Sequence, residues 1–352
     1  MKKIVFTGGG TAGHIYPILA VKERMNNSDY QFHYIGGNGM EKDIIAKEKE
    51  ITFHEISTVK LQRKLTFQNL LIPFKLIKAI SQSKKLLKEI KPDVIFSKGG
   101  FVAVPVVIAG AKLGIPVISH ESDLSMGLAN KIILHYCNTM CTTFEETKKD
   151  NIKTIHTGQP IRKNVLNGNK RNLTMLNKLD KNKPVLLVIG GSSGAKFINE
   201  KVIENIDKIC STYNCIHITG KQEVKKIRHE NYFQVQYAEN IGDYLNACDV
   251  VLSRAGSGAI NEFLALKKPM FLIPLSKKCS RGDQIENAKL FANLGFCDMI
   301  EEEDCDDSIF NIKLVNLYKN KEKYIKNMKK YKYFDACDKI IELIKQSEKQ
   351  PL

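Results

Sequence analysis

Three times in this chain a short apolar strand runs straight into a glycine-rich turn that opens a helix, and that repeat confines it to parallel sheets wound with helices. The first instance is Ile4–Thr7, followed by Gly8, Gly9, Gly10, Thr11, Ala12, Gly13 and His14, after which Ile18, Leu19, Val21 and Met25 recur at helical spacing. The second is Val185–Ile189, followed by Gly190, Gly191, Ser192, Ser193, Gly194 and Ala195, with Ile198, Val202, Ile203 and Ile206 beyond. Further strands are predicted at Phe32–Ile35, Val94–Ser97 and Pro116–Ser119 in the first half, and at Cys215–Thr219, Val250–Ser253 and Met270–Ile273 in the second. Between Asn164 and Lys183 the chain turns rich in Asn and Lys and loses its apolar period, which predicts a surface segment near a domain boundary. The expected architecture is α/β: two doubly wound Rossmann-like domains facing across a cleft, residues 1–162 and 163–335, with a C-terminal helix in 336–352 packing back towards the first.

A length of 352 residues agrees with two domains of about 150 each. The chain has 54 Lys plus Arg against 38 Asp plus Glu, and this net +16 should draw it to something anionic: nucleic acid, an acidic membrane surface or a phosphorylated small molecule. Nucleic acid is disfavoured, because the lysines are spread along the chain, Trp is absent and no binding motif interleaves aromatics with basic residues. The opening MKKIVFTGGG holds too short an apolar run for a signal segment, which predicts a cytoplasmic protein. The longest apolar stretch, Phe101–Ser119, is broken by Pro105, Gly110, Lys112, Gly114 and Pro116 and is not expected to span a membrane. Nine cysteines are expected to be reduced and buried. The pairs Cys137/Cys141 and Cys210/Cys215 lack the second matching pair a zinc site needs, and no metal is expected.

The first glycine turn satisfies G-x-G-x-x-G between a strand and a helix, so its N–H groups could cradle a pyrophosphate. A dinucleotide would also want an acid at the end of the second strand, and none follows Tyr34 and Ile35 until Glu41, which disfavours NAD or FAD. His14, at the start of the helix, is either a general base or a cap for the loop. A third glycine turn, Arg254–Ala259, follows the strand Val250–Ser253, so two helix N-termini in the second half could converge on one diphosphate. Glu262 then lies within reach of a ribose, or else is a solvated first-turn acid favoured by the helix dipole.

Seven blocks in order, TGGGTAGHIYP (7–17), KPDVIFSKGGFVAVP (91–105), GIPVISHESD (114–123), GQPIR (158–162), GGSSGAKFIN (190–199), SRAGSGAINE (253–262) and RGDQIENA (281–288), resemble the MurG family of peptidoglycan glycosyltransferases nearly end to end. The resemblance implies a GT-B type fold and transfer of N-acetylglucosamine from UDP-N-acetylglucosamine to the C4 hydroxyl of undecaprenyl-pyrophosphoryl-MurNAc-pentapeptide, converting lipid I to lipid II with inversion. It also implies an acceptor-binding, membrane-associating first domain and a donor-binding second one. Thr11, Ala12 and Gly13 match donor-contacting residues, and Gly9, Gly10, Thr11 and Gly13 the seat of the acceptor diphosphate. Arg162 and Ser192 match donor-diphosphate contacts, Ile241 the residue whose backbone reads uracil, Ser257, Gly258, Ala259, Ile260, Asn261 and Glu262 the segment around diphosphate and ribose, and Gln284 the amide on the sugar hydroxyls. Asp123 stands where the family commonly has Asn, which keeps an acceptor oxygen and loses the amide donor.

On the same resemblance His14 is the leading general base, with His120 and Glu121 as runners-up, and a divalent metal is dispensable because helix N-termini and Arg162 meet the leaving diphosphate. The stretch Leu65–Ile90 places Leu70, Leu71, Phe74, Ile77 and Ile80 on one helical side among Lys75, Lys78, Lys84, Lys85 and Lys88. Such a helix can lie on an anionic bilayer, with Leu71, Phe74, Lys75 and Lys78 at its surface, or it is a core-facing helix with a solvated lysine face. The resemblance favours the membrane and a peripheral place on the cytoplasmic face. The competing enzymes are a glycolipid glycosyltransferase and a UDP-N-acetylglucosamine epimerase, which the blocks at 7–17 and 91–105 argue against.

Overall fold

The computed structural model describes residues 1–58, 72–147, 153–191, 194–222, 224–331 and 336–347. The chain divides into two compact units, Met1–Arg162 with Phe334–Leu352, and Lys163–Tyr333.

The first unit holds β1 (Lys2–Thr7), α1 (Ala12–Lys22), β2 (Tyr30–Gly36), α2 (Met40–Ile45), β3 (Ile51–Glu55), α3 (Ile72–Ile90), β4 (Val94–Ser97), α4 (Ala103–Lys112), β5 (Val117–Glu121), α5 (Leu128–Tyr136), β6 (Thr139–Thr142) and β7 (Thr154–His156). Its seven strands form one parallel sheet in the order β3-β2-β1-β4-β5-β6-β7. Both faces are covered, which is why β1 and β4 are near-continuous apolar runs. Ile4 and Phe6 point to one core, where Ile15 and Ile18 of α1 lie, and Val5 points to the other, beneath Val106 and Val107 of α4. The second unit holds α6 (Lys163–Leu166), β8 (Val185–Ile189), α7 (Lys196–Glu204), α8 (Ile206–Thr212), β9 (Asn214–Ile218), β10 (Tyr232–Val235), α9 (Ile241–Ala247), β11 (Val250–Ser253), α10 (Ser257–Ala265), β12 (Met270–Leu272), α11 (Asp283–Asn293), β13 (Cys297–Met299), α12 (Asp307–Lys319) and α13 (Lys321–Lys330). Its sheet is again parallel, in the order β10-β9-β8-β11-β12-β13. A last helix, α14 (Ala336–Ser347), packs on α1 in the first unit, burying Ile340, Ile341, Leu343 and Ile344. Each of these aliphatic side chains contributes about 1.5–3 kcal/mol when removed from water.

The strands that the apolar pattern does not reveal, β3, β6, β7, β10 and β13, lie at or next to the sheet edges. All but β6 lack a neighbour on one flank, and polar residues such as Thr52, His54, Thr154, Gln234 and Asp298 are tolerated there. The segment 164–183 is a mostly exposed stretch beside the boundary between the units, and it is tied down locally: Asp243 at the start of α9 accepts from the Asn169 backbone N–H (2.7 Å) and the Asn172 amide (3.0 Å), and the Gly168 and Gly242 backbones meet so closely that a Cβ on Gly168 would lie 2.0 Å from Gly242. In α3 the core-facing stripe is Ala79, Ser83, Leu87 and Ile90, not the side carrying Phe74 and Ile77, which are 71% and 65% exposed. Leu65, Leu70 and Leu71 lie outside the described residues. All nine cysteines are free thiols, eight of them buried and Cys279 exposed.

On neighbouring strands β2 and β3, His33 Nδ1 and His54 Nε2 stand 3.1 Å apart, so one ring must donate and the other accept. Burial lowers the pKa of both; the facing His54 and then Lys3 add to the shift of His33, while Glu89 opposes that of His54. Both imidazoles therefore stay neutral in the fold to a lower pH than in the unfolded chain, where they charge near pH 6.5. Their contribution to stability is present above that pH and is lost as the pH falls below it. Urea unfolding at pH 7 and pH 5 should show acid destabilisation that is smaller in His33→Gln than in the parent; an equal loss would acquit the pair.

Candidate active site

In each sheet the strand order reverses once, between β1 and β4 in the first unit and between β8 and β11 in the second, and open parallel sheets bind ligands at the carboxyl ends of the strands at such a point. All three glycine turns lie there. In the first unit, the turn after β1 is held from beneath by Glu41. This carboxylate is 2% exposed and accepts from the Gly37 N–H (3.1 Å) and the Gly10 N–H (3.3 Å). Gly10 thus contributes its φ of +83° rather than a free donor, and a Cβ on Gly9 would lie 2.8 Å from the Glu41 carboxylate. Beyond it Thr11 is the N-cap of α1 without a side-chain cap, no acid occupies the first turn, and the N–H groups of Ala12 and Gly13 have no partner among the described residues. The Gly10 donor is already spent on Glu41, while those of Ala12 and Gly13 are available to an anion.

His14 follows them. Its Nδ1 lies 2.7 Å from the Gly9 carbonyl oxygen, which can only accept, so Nδ1 carries the proton and Nε2 the lone pair. Nε2 makes no hydrogen bond to any described residue. Burial holds the imidazole below its ordinary pKa and the charge of Lys98 adds to this, against the bond to Gly9 and the charges of Glu121 and Asp123. The pose is backed by Gly100, with φ +81°: a Cβ there would lie 2.7 Å from the Gly9 oxygen and 3.2 Å from His14 Nδ1. The sequence therefore places a neutral imidazole, with a fixed tautomer and an available lone pair, beside a helix N-terminus.

The other two base candidates are occupied. His120 is fully buried; its Nδ1 accepts from Lys98 Nζ (2.7 Å) and its Nε2 donates to the Gly158 carbonyl (2.8 Å). Glu121 is 4% exposed and its two oxygens accept from the Asp123 N–H (2.9 Å), the Gly127 N–H (3.0 Å) and the Asn130 amide (3.0 Å). That is the bonding of a structural carboxylate that sets the turn into α5. Asp123 is partly exposed beside it. Lys98, 1% exposed, also donates to Ser122, and burial brings its pKa down to about 8 against the pull of Glu121 and Asp123. Arg162, the last residue of the unit before α6, stacks its guanidinium on the Tyr16 ring, 4.2 Å from the centroid. Glu41, Lys98, Gly100 and Tyr16 were not singled out from the sequence. The signal available was the glycine pair after β4, whose spacing from the strand matches that of the first turn.

In the second unit a cavity of about 570 Å³ opens over the carboxyl ends of β8 and β11. Gly190, Gly191 and Gly194 line one wall, Gly256 and Ala259 another, and Gln284 a third. Gly194 has φ +78°, and a Cβ there would lie 2.3 Å from the Thr219 carbonyl oxygen, so the turn tolerates only glycine at this point. Neither α7 nor α10 has an acid in its first turn, leaving two helix N-termini free to face an anion. Two cations lie on the wall: Arg254 is engaged by Glu302 and by the carbonyls of Ile273 (3.0 Å) and Pro274 (3.3 Å), and Lys196 lies 3.7 Å from the Glu200 carboxylate on its own helix. Gln284 Oε1 accepts from the Leu275 N–H (3.0 Å), which leaves its NH2 as a donor on the cavity wall.

The residues expected to wrap the ligand divide. Gly258, Ala259 and Glu262 are partly exposed, whereas Ser257 and Ile260 are buried and Asn261 turns back to donate to the Ser257 carbonyl (2.8 Å). Because α10 starts at Ser257, Glu262 belongs to its second turn, and the reading of a first-turn acid is withdrawn. Ile241 is partly exposed at the first position of α9, which Asn240 caps by accepting from the Gly242 N–H (3.2 Å). Ser192 lies outside the described residues.

Residues 4–142 match the glycosyltransferase family 28 N-terminal domain and residues 185–344 its C-terminal domain. A UDP-N-acetylglucosamine–N-acetylmuramyl-(pentapeptide) pyrophosphoryl-undecaprenol N-acetylglucosamine transferase of Clostridium tetani is 46% identical, with 98% of each chain covered. Its namesake in Clostridium botulinum strain Langeland is 48% identical over 99% of this chain and all of its own. Among solved structures, MurG of Acinetobacter baumannii superposes with a TM-score of 0.77 at 22% identity, covering 98% of this chain and 100% of its own, and the glycosyltransferase of kitacinnamycin with 0.73 at 14% identity, covering 98% of each. The two parallel-sheet units have the GT-B glycosyltransferase fold. On this similarity the chain belongs to glycosyltransferase family 28, among the UDP-N-acetylglucosamine–N-acetylmuramyl-(pentapeptide) pyrophosphoryl-undecaprenol N-acetylglucosamine transferases.

Proposed function

We propose that the chain moves N-acetylglucosamine from UDP-N-acetylglucosamine to the C4 hydroxyl of the muramyl sugar of undecaprenyl-pyrophosphoryl-MurNAc-pentapeptide, giving the β-linked product. The observation that carries the catalytic part is the His14–Gly9 bond of 2.7 Å, which supports a neutral imidazole whose Nε2 takes the proton of the attacking hydroxyl. The hydroxyl oxygen forms its bond to the anomeric carbon as the bond to the UDP oxygen breaks, so one displacement inverts the centre and no covalent enzyme intermediate is needed. Charge developing on UDP is met by the N-termini of α7 and α10 and by Arg162, whose five donors make no hydrogen bond or ion pair with described residues. With the charge met in this way, a divalent ion is dispensable. Ile241 and Glu262 serve uracil and ribose in this reading, and the Gln284 NH2 serves the sugar hydroxyls. The free N–H groups of Ala12 and Gly13 serve the acceptor diphosphate.

The test is transfer of labelled N-acetylglucosamine to a lipid I analogue with and without EDTA, beside a control lacking acceptor. Acceptor-dependent β-linked product in both arms is expected. Release of free sugar or an epimer in the control, without transfer, would overturn the assignment, and loss of product in EDTA alone would overturn the metal-independent part.

No helix among the described residues is long and apolar enough to cross a membrane. For the acceptor to be reached, a peripheral contact with the cytoplasmic face is proposed through α3. Its exposed Phe74 and Ile77 sit among exposed Lys75, Lys78, Lys84 and Lys85, which suits an anionic interface. At about 1 kcal/mol per lysine near such a surface, Lys75→Glu with Lys78→Glu and Lys85→Glu should weaken binding to phosphatidylglycerol vesicles by ~100-fold or more while transfer to a soluble acceptor persists. Unchanged vesicle binding would leave these lysines as an ordinary solvated face.

A further inference from the structure

We infer that Tyr16 is a positioning residue for the donor diphosphate, acting through Arg162; the inference rests on the assignment of Arg162 proposed above. The guanidinium of Arg162 is only partly exposed, and its Nε is buried without a hydrogen-bond partner. A guanidinium in such a place is ordinarily held by a carboxylate, as Arg254 is held by Glu302. At Arg162 no carboxylate or carbonyl does this among the described residues, and what fixes its plane is the face of the Tyr16 ring, 4.2 Å from the centroid. A ring face restrains the guanidinium without using its N–H donors, so the fork stays available to a diphosphate, whereas a carboxylate would both occupy it and repel the ligand. The ring is itself anchored: Tyr16 packs against the core of the first unit from the second turn of α1. Two residues earlier the same helix carries His14, so one rigid element supports both the base and the platform beneath the phosphate anchor.

The experiment is a double-mutant cycle on the full chain with UDP as the probe, read by calorimetry, with donor KM and kcat measured alongside and folding checked by circular dichroism. Tyr16→Leu should weaken UDP about tenfold and raise donor KM by a similar factor, with little change in kcat at saturating donor. Tyr16→Phe, which keeps the ring, should restore UDP affinity, and Tyr16→Leu should add nothing in an Arg162→Ala background. Should Tyr16→Leu not fold, Tyr16→Met takes its place in the cycle. Equal effects of the Tyr16 change with and without Arg162, or a Tyr16→Phe as weak as Tyr16→Leu, would overturn the inference while leaving Arg162 in place. An Arg162→Ala chain that binds UDP as the parent does would instead remove Arg162 from the donor site, and the inference with it.

Discussion

His14→Ala is expected to lower kcat by at least ~100-fold while UDP affinity stays close to that of the parent. The reasoning is local. The Gly9 carbonyl settles which nitrogen holds the proton, burial and Lys98 keep the ring neutral, and Nε2 is left with a lone pair and no protein partner. Since the neutral form is the base, the rate should fall as the pH drops through the His14 pKa. Because that pKa is lowered, the acid limb of kcat/KM should lie below pH 6.5, the ordinary imidazole value. His14→Gln provides a second reading, since it retains a side chain of comparable reach without a basic nitrogen. Turnover near the parent level in either variant, with UDP still bound, would take His14 out of the proton transfer. An acid limb above pH 6.5 would mean that some other group is being titrated.

For Glu121→Ala the expected loss is in the fold rather than in the chemical step. Three donors, the Asp123 N–H, the Gly127 N–H and the Asn130 amide, would be left in a nearly dry site. At about 1–3 kcal/mol for each orphaned donor, the variant should lose ~3 kcal/mol or more of unfolding free energy in urea. Gly127 is the N-cap of α5, and Asn130 lies in its first turn against Gly99, where a Cβ would come 2.4 Å from the Asn130 amide oxygen. The damage should therefore spread along the carboxyl ends of β4 and β5. A variant as stable as the parent but without turnover would reinstate Glu121 as a participant in catalysis.

These two cases show how far the residues alone could be read. Three strands with both faces covered, Val94–Ser97, Val185–Ile189 and Val250–Ser253, are observed with the predicted bounds, and the other predicted strands differ by one or two residues at an end, β5 by running on to Glu121. Their apolar runs have a single physical cause, burial on two sides. Edge strands such as β3 and β13 have weaker causes and left weaker marks. The glycine turns were legible as places where backbone must approach a ligand. What could not be read was the division of labour among His14, His120 and Glu121, because spacing shows that a side chain is near the carboxyl end of a strand but not where its hydrogen bonds go. His120 and Glu121 are consumed by Lys98, Gly158, Gly127 and Asn130, partners between 6 and 38 residues away along the chain. The same holds for Tyr16, which reads as one more apolar residue of a helix until Arg162, from the far end of the unit, is laid on its ring.

The helix α14 gives the molecule an order of assembly on the ribosome. Residues 163–333 are contiguous, so the second unit has its whole core once its own stretch has emerged. The first unit, although synthesised earlier, must wait: the side of its sheet bearing Ile4, Phe6 and α1 lacks Ile340, Ile341, Leu343 and Ile344 until residues 336–347 leave the tunnel. The half that carries the proposed base is thus made before the helix that seals it, and a nascent chain stalled before Ala336 presents that uncovered apolar face to chaperones and proteases.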